Sequence, residues 1–280
     1  MSRPPRRFRR ERSGAQRLVV ATELADAVHE LGLLEPGALD GLSAAGDVAW
    51  GRGRNLVVAL PRRPERLHLR SFRHGGWLAG FLGHWLPGPG RPLAELSAND
   101  QLHAAGAPVP RPVLVAAARR APGLWSTAVG TVHVEDSENA GEFLAKQPGP
   151  EQLLSAAQAA GRALRRFHDA GGRHADLHVG NLLICDDDGA PRVCIVDLDR
   201  ARVTPLVPAR RRMREIMRLQ RSLVKRGFDT RGTQDAGSGF MDSYTAGDTA
   251  LYAALLAQLP RERRRLALHR FGYPHRLKFP

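Results

Sequence analysis

Short apolar runs bounded by glycine and proline fill the first half of the chain, whereas the second half follows a helical period. Five such runs predict strands, at residues 47–50, 55–60, 66–72, 113–118 and 127–134. The turns between the first three are short, which predicts an antiparallel meander. A helix is predicted from Pro92 to about Ala105, inserted in the sheet, and a second over residues 15–34. The first 14 residues are basic and are expected to form a disordered arm.

The second half begins with a strongly amphipathic segment over residues 151–170, which predicts a helix ended by Gly171 and Gly172. A polar loop from His174 to Asn181 follows. Two apolar runs after it predict strands, at residues 182–185 and 193–198. From Pro208 onward the chain is basic and its pattern is helical. We therefore expect a boundary at residue 135, with a sheet-containing lobe over 15–135 and a mainly helical lobe over 136–280.

The composition is that of a globular protein, with 42% hydrophobic and 25% charged residues in 280. No apolar run approaches the roughly 18 residues that span a bilayer, and the basic N-terminus lacks the apolar stretch of a secretory signal. Two cysteines, Cys185 and Cys194, are too few for a disulfide framework. These features predict a cytoplasmic protein or one that contacts a membrane from the cytoplasmic side.

Arginine dominates the charge, because 39 of the 42 basic residues are arginine and the net charge is +14. The guanidinium group binds phosphate and carboxylate as a planar fork, so an anionic partner is expected. Nucleic acid, an anionic membrane surface and a phosphorylated substrate all satisfy this condition. Codon bias alone could also enrich surface arginine.

Three side chains in two motifs point to phosphoryl transfer from ATP. Asp176 and Asn181 lie five residues apart in the polar loop, and Asp197 follows an apolar strand. The chemistry needs a carboxylate to orient the acceptor hydroxyl, and an amide oxygen and a second carboxylate to hold Mg²⁺. H-A-D-L-x-x-x-N followed by D-L-D fits the order found in protein kinases. The sequence therefore predicts Asp176 as the catalytic base and Asn181 and Asp197 as metal ligands.

Two other interpretations of this region are weaker. A metal cage of His168, His174 and His178 lacks the helical spacing of such sites, so His174 is expected to pack and hold the loop backbone. Asp197-Leu198-Asp199 also matches the D-x-D of glycosyltransferases, but that pattern is very unspecific.

A kinase also needs a cation for the nucleotide phosphates, which is a lysine on the third strand in protein kinases. No lysine precedes residue 146 here, and Arg70 occupies the corresponding place. Glu95 on the following helix is expected to pair with it in bidentate geometry. Gly51 and Gly53 are candidates for the turn that covers the phosphates, although two glycines are a weak signal.

The chain resembles the 3-deoxy-D-manno-octulosonic acid (Kdo) kinases of the lipopolysaccharide kinase family. The resemblance is carried by LRSFRHGG (69–76), Glu95 with GAPVP (106–110), HADLHVGNLL (174–183), IVDLDR (195–200) and RLQRSLVKR (218–226). It departs from the family at Asn99 and Asp100, where the family helix is apolar. The resemblance implies an α+β, protein-kinase-like fold with a five-stranded N-lobe. It also implies transfer of the ATP γ-phosphoryl group to the Kdo 4-hydroxyl of a Kdo–lipid A precursor.

Such a substrate is anionic and lies at the inner membrane, where a basic helix would bind. Arg200, Arg218 and Arg221 are the predicted substrate-binding residues, and the protein is expected at the cytoplasmic face of the membrane. A soluble aminoglycoside or choline kinase relative is the nearest rival, but its cationic substrates fit a charge of +14 poorly. A nucleic-acid-binding module without kinase activity is the second rival, and the sparse aromatic residues give it no stacking platform.

Overall fold

The computed structural model describes residues 7–39, 55–71, 86–187, 189–228 and 234–264. The chain divides into two compact units. One comprises residues 1–103 and 110–133, and the other comprises residues 104–109 and 134–280. The predicted strand at residues 47–50 and the predicted phosphate-covering glycines, Gly51 and Gly53, lie outside the described residues.

The first unit is built on an antiparallel sheet of six described strands, where the sequence predicted five. The strands are β1 (Phe8–Ser13), β2 (Gln16–Ala21), β3 (Asn55–Ala59), β4 (Arg66–Ser71), β5 (Pro112–Ala121) and β6 (Leu124–Val132). Their order across the sheet is β1-β2-β5-β6-β4-β3. The last four correspond to predicted strands, the hairpin β1–β2 adds two that were not predicted, and the fifth predicted strand, at 47–50, lies outside the described residues.

The predicted helix over residues 15–34 is wrong in its first half, which forms β2. Only a short 3-10 turn, Thr22–Leu24, and a short helix, α1 (Ala25–His29), follow. Four consecutive residues of β2 are buried because apolar cores lie on both faces of the sheet: Leu18 and Val20 pack into one, and Val19 and Ala21 into the other. A continuous apolar run of this length fits a doubly buried strand as well as a helix.

The predicted disordered arm is also corrected, since β1 pairs with β2 along its whole length. Phe8 is buried in the same core as Val19, and Arg7 forms an ion pair with Asp100. The charged residues of β1 are tolerated because it is an edge strand, which can present them to solvent.

Helix α2 (Gly90–Ala104) packs Leu93 and Leu96 against the second core. It carries Glu95 and also the two polar residues at which the sequence departs from the family. Both are buried. Because Arg7 of the N-terminal segment pairs with Asp100, the extra hairpin explains one of the two departures.

The second unit is mainly helical, as predicted. Its helices are α3 (Ala140–Ala145), α4 (Pro150–Asp169), α5 (Ala209–Val224), α6 (Gln234–Thr245) and α7 (Thr249–Leu256). Its short strands are β7 (Ser137–Asn139), β8 (Gly172–Arg173), β9 (Leu182–Asp187), β10 (Ala190–Ile195) and β11 (Arg202–Val203). The ranges that the structure describes hold no helix long and apolar enough to cross a membrane.

Glycine ends α4 where the sequence predicted. Gly171 has a φ of +82°, and a Cβ there would lie 2.0 Å from the carbonyl oxygen of Thr204. The residue thus allows both the left-handed turn and the close approach of β11, which pairs with β8. The short strand β8 follows this turn, and the polar loop begins directly after it at His174.

Candidate active site

The polar loop starts after β8 and ends in a 3-10 turn, Val179–Asn181, before β9. Its central carboxylate, Asp176, is exposed, whereas His174 and Asn181 are buried. An exposed acid held between buried polar anchors is positioned without being removed from solvent.

His174 connects the loop to the strand end that precedes Asp197. Its Nε2 donates to the carbonyl of Val196 at 3.0 Å, and its Nδ1 accepts from the backbone N–H of Asp176 at 3.1 Å. These two bonds require a neutral ring with its proton on Nε2. Burial lowers the pKa of His174, which favours that form. The prediction that His174 holds the loop backbone is confirmed.

Asn181 makes a second connection. Its amide nitrogen donates to the carbonyl of Asp176 at 2.9 Å, and its backbone carbonyl accepts from Val196 N at 3.0 Å. With the amide nitrogen used in this way, the side-chain oxygen is directed to the other side. Asp197 is exposed and has a φ of +58°, a conformation that costs a non-glycine residue energy and clusters at functional sites. The structure therefore brings the Asp176 loop, Asn181 and the Asp197 turn together.

Helix α5 supports the loop through three side chains on one of its faces. Glu215 Oε2 accepts from His174 N at 3.0 Å, the Arg218 guanidinium donates to the carbonyl of Ala175, and Ser222 Oγ accepts from Val179 N at 3.1 Å. Spacings of three and four residues place them in one row along the helix. Two of the three residues, Arg218 and Ser222, belong to the segment RLQRSLVKR (218–226) that carries part of the resemblance.

Behind the loop, Glu215 belongs to a buried polar cluster. Its Oε2 also contacts His168 Nε2 at 3.2 Å, and His168 Nδ1 lies 2.6 Å from the hydroxyl of Tyr244 on α6. Burial lowers the pKa of His168, so the neutral ring donates from Nε2 and accepts at Nδ1. Arg212 closes the cluster by donating to Asp169 at 2.7 Å and to the Val207 carbonyl at 2.9 Å.

The histidines are thus used as hydrogen-bonding groups rather than as a metal cage. His178 follows the same pattern, because its Nδ1 accepts from Gly180 N at 3.1 Å.

In the first unit, Arg70 on β4 and Glu95 on α2 meet as the sequence predicted. One guanidinium nitrogen, Nη2, lies 2.5 Å from Oε1 and 2.7 Å from Oε2, so both carboxylate oxygens contact the guanidinium group. Glu95 is buried and Arg70 is about one-fifth exposed. Burial, together with Arg70 and His133, lowers the pKa of His68 to about 4, so His68 adds no charge beside Arg70 at neutral pH.

Of the remaining predicted residues, Arg200 is exposed in a turn with a φ of +60°, and Arg221 is half-buried on α5. Sequence reasoning missed Glu215 and Ser222. The signal was available in the spacing of Glu215, Arg218 and Ser222, which a helix places on one face.

A sequence model of the "Lipopolysaccharide kinase (Kdo/WaaP) family" matches residues 84–240, more than half of the chain. The chain belongs to this family. The match spans α2, the polar loop, the Asp197 turn and the loop-supporting face of α5. It therefore includes all but one of the segments on which the sequence-based resemblance rested, LRSFRHGG (69–76) lying before it, and the predicted family is confirmed.

Curated relatives agree. The chain is 29% identical over 159 residues to the 3-deoxy-D-manno-octulosonic acid kinase of Vibrio cholerae, covering 55% of this chain and 64% of that protein. It is 33% identical over 172 residues to the Kdo kinase of Xanthomonas campestris pathovar campestris, covering 60% of this chain and 66% of that protein. The chain thus spans just under two thirds of the length of each. The predicted enzyme class, a kinase, is confirmed by family membership.

A solved structure described as "WaaP in complex with acyl carrier protein" has a TM-score of 0.54 against this chain. It is 18% identical and covers 88% of this chain and 98% of that one. At this identity the likeness shows the fold. The predicted α+β, kinase-like class is confirmed, with the six-stranded sheet as the correction.

Proposed function

We propose that this family member uses ATP to phosphorylate the 4-hydroxyl of Kdo on a Kdo–lipid A precursor, in the assembly of the lipopolysaccharide core. The observation that carries the proposal is the exposed Asp176, whose backbone is held by His174 and Asn181 on a loop that is bonded to the carbonyl of Val196 beside Asp197. Family membership supports ATP as the phosphoryl donor.

Asp176 would act as the base. Its backbone is fixed at both the N–H and the carbonyl, so the carboxylate has a defined origin although it is exposed. A carboxylate in this position orients the acceptor hydroxyl and accepts its proton as the bond to phosphorus forms.

Asn181 and Asp197 would hold Mg²⁺. The residues fit this ion, because the amide nitrogen of Asn181 is already bonded to Asp176 and its oxygen is directed away from that carbonyl. Amide and carboxylate oxygens are hard ligands of the kind Mg²⁺ takes. When bound, the ion supplies positive charge that offsets the negative charge of the triphosphate.

Arg70 would contact the nucleotide phosphates, and Glu95 would hold the guanidinium in place through the ion pair. Gly51 and Gly53 are proposed for the turn that covers the phosphates. Arg200, Arg218 and Arg221 would bind the acceptor's anionic groups, and the contact of Arg218 with Ala175 supports a position beside the catalytic loop. The lipid acceptor implies a peripheral protein at the cytoplasmic face of the bacterial inner membrane.

The test is incubation of the full chain with labelled ATP, Mg²⁺ and a Kdo–lipid A precursor, followed by NMR location of the new phosphate. Asp176→Asn should lower turnover by about 10²-fold or more, because the base is lost while the loop's backbone bonds remain. Asp242→Asn, an exposed acid on α6, is the matched control and should retain turnover. Label transfer by the Asp176 variant at the wild-type rate would contradict the assignment, and a phosphate at another hydroxyl would revise the regiochemistry.

A further inference from the structure

Two hairpin turns of the six-stranded sheet lie side by side at one end of the sheet. The β1–β2 turn is made by Gly14 and Ala15, and the β5–β6 turn by Pro122 and Gly123. They adjoin because β2 pairs with β5, and the backbone N–H of Arg119 donates to the Ala15 carbonyl at 3.1 Å. The sheet itself therefore fixes their separation.

The strand register collects arginines at these turns. Arg12 is directly opposite Arg17, Arg17 is opposite Ala117, and Arg119 is opposite Trp125. Since residues two apart on a strand share a face, all five lie on one face of the sheet. Like charges directly opposite each other repel across a sheet, and an anion bound beside the facing pair of Arg12 and Arg17 would offset that repulsion.

The arginines line a groove of about 430 Å³, a volume in the range of small-ligand sites. Its lining residues are Arg12, Gly14, Ala15, Arg17, Arg119, Arg120, Ala121, Pro122 and Trp125. Within the part of the chain that the structure describes, every one of these is neutral or arginine. The Arg17 guanidinium lies 4.7 Å from the centre of the Trp125 ring, and Arg120 Nε donates to Ser126 Oγ at 3.0 Å. Arg12 Nε also donates to the Gly14 carbonyl at 3.3 Å, so three of the four cations have a local contact.

We infer that this groove, here called the hairpin groove, binds a phosphate-bearing anion. Four guanidinium groups around one concave surface match the charge and the planar geometry of phosphate oxygens. Two sources share this chemistry: the headgroup of an anionic phospholipid and a small phosphorylated compound. The groove is distinct from the nucleotide end of the unit, because Arg70 is opposite Val129, four residues and about 13 Å along β6 from Trp125.

The experiment compares the full wild-type chain with Arg12→Gln/Arg119→Gln. Both residues are exposed, and the variant leaves the Arg17–Trp125 contact intact, so the fold should be retained. Arg162→Gln/Arg166→Gln removes the same charge from two exposed positions of α4 and is the matched control. One arm measures sedimentation with phosphatidylcholine vesicles, with and without phosphatidylglycerol. The other measures calorimetric binding of inorganic pyrophosphate, and thermal unfolding checks each variant.

We expect the groove variant to weaken at least one of these interactions about tenfold, and the control to change neither more than twofold. A loss confined to phosphatidylglycerol vesicles identifies the lipid headgroup, and a loss confined to pyrophosphate identifies a small phosphorylated compound. If the groove variant binds both probes as the control does, the inference is overturned. Kinase activity is not part of the readout, so the result stands apart from the proposed function.

Discussion

The arginines of helix α5 and those of the hairpin groove are used in opposite ways. On α5, Arg212 donates to the Asp169 carboxylate and the Val207 carbonyl, and Arg218 donates to Ala175. In the hairpin groove, Arg12 is opposite Arg17, and the groove is lined by four arginines with neutral residues between them. The same residue type therefore satisfies buried acceptors in one region, whereas in the other it places like charges opposite each other on a sheet.

This difference changes the meaning of the net charge of +14. Helix α5 carries four apolar residues, Met213, Ile216, Met217 and Leu219, among its arginines. Those four residues are buried, but so is Arg212. The count of basic residues therefore overstates the charge that α5 offers to a partner. The hairpin groove, formed in part by the unpredicted strands β1 and β2, holds three exposed arginines, Arg12, Arg119 and Arg120.

The largest expected effect comes from removing the Glu215 carboxylate, through which α5 supports the catalytic loop. Glu215→Ala leaves two buried donors, His174 N and His168 Nε2, without their acceptor. Each such loss costs about 1–3 kcal/mol, so chemical denaturation should show a loss of about 3 kcal/mol or more. Glu215→Gln is the control, because its amide oxygen can still accept. Equal free energies of unfolding for the two variants would show that loss of the hydrogen-bond acceptor is not the cause of the destabilisation.

Arg212→Met is the second test. Arg212 is buried and donates hydrogen bonds to the Asp169 carboxylate and the Val207 carbonyl. About half of the Asp169 side chain is exposed to solvent. We therefore expect a loss of about 2 kcal/mol, less than for a fully buried ion pair. Arg210→Met, two residues away and exposed, should change the free energy of unfolding by less than about 0.5 kcal/mol. Similar losses of unfolding free energy in the two variants would show that the buried Arg212 contributes no more to stability than the exposed Arg210.

A third test separates loop support from substrate binding. Arg218→Gln should lower kcat about tenfold and raise the KM for the lipid acceptor, since Arg218 both holds Ala175 and is proposed to contact the acceptor. Arg221→Gln should raise that KM with little change in kcat. Neither should move the KM for ATP. A loss of ATP affinity in either variant would assign its arginine to the nucleotide end instead.

The local patterns predicted β3 to β6, the helix α2 and the Arg70–Glu95 pair, because each depends on alternation, on a terminating glycine or proline, or on a motif spacing. The β1–β2 hairpin was not predicted, because the apolar run RLVVA (17–21) is compatible with a buried strand and with a turn of helix. Glu215 escaped for another reason. Its spacing with Arg218 and Ser222 indicates a shared helix face, but its partners His168 and His174 are brought to it by the fold over large sequence separations, which no local pattern encodes.

The buried cluster also predicts a pH dependence. Burial lowers the folded-state pKa of His168 below its ordinary value of 6.5, so the unfolded state binds more protons as the pH falls through 6.5. Stability from this residue is present above that pH and is lost below it, by at most about 1.4 kcal/mol per pH unit. Urea titrations at pH 7.5 and 5.5 should show the lower stability at pH 5.5. His103→Gln, on α2, should keep the slope, and a pH-independent wild type would contradict a neutral buried His168.

The smallest expected effect is a gain in stability rather than a loss, so it tests directly whether the arginines of the hairpin groove differ from those of α5. Arg12→Gln removes one member of the like-charge pair with Arg17, and such pairs destabilise a sheet by a few tenths of a kcal/mol. The variant should be more stable than wild type by about 0.2–0.5 kcal/mol at low salt. The gain should shrink at 1 M salt, where the screening length falls to about 3 Å. Arg212→Met should lose stability at both salt concentrations, because its bonds are buried. If Arg12→Gln instead lost stability at low salt, the arginines of the hairpin groove would be part of the fold's own support, like those of α5.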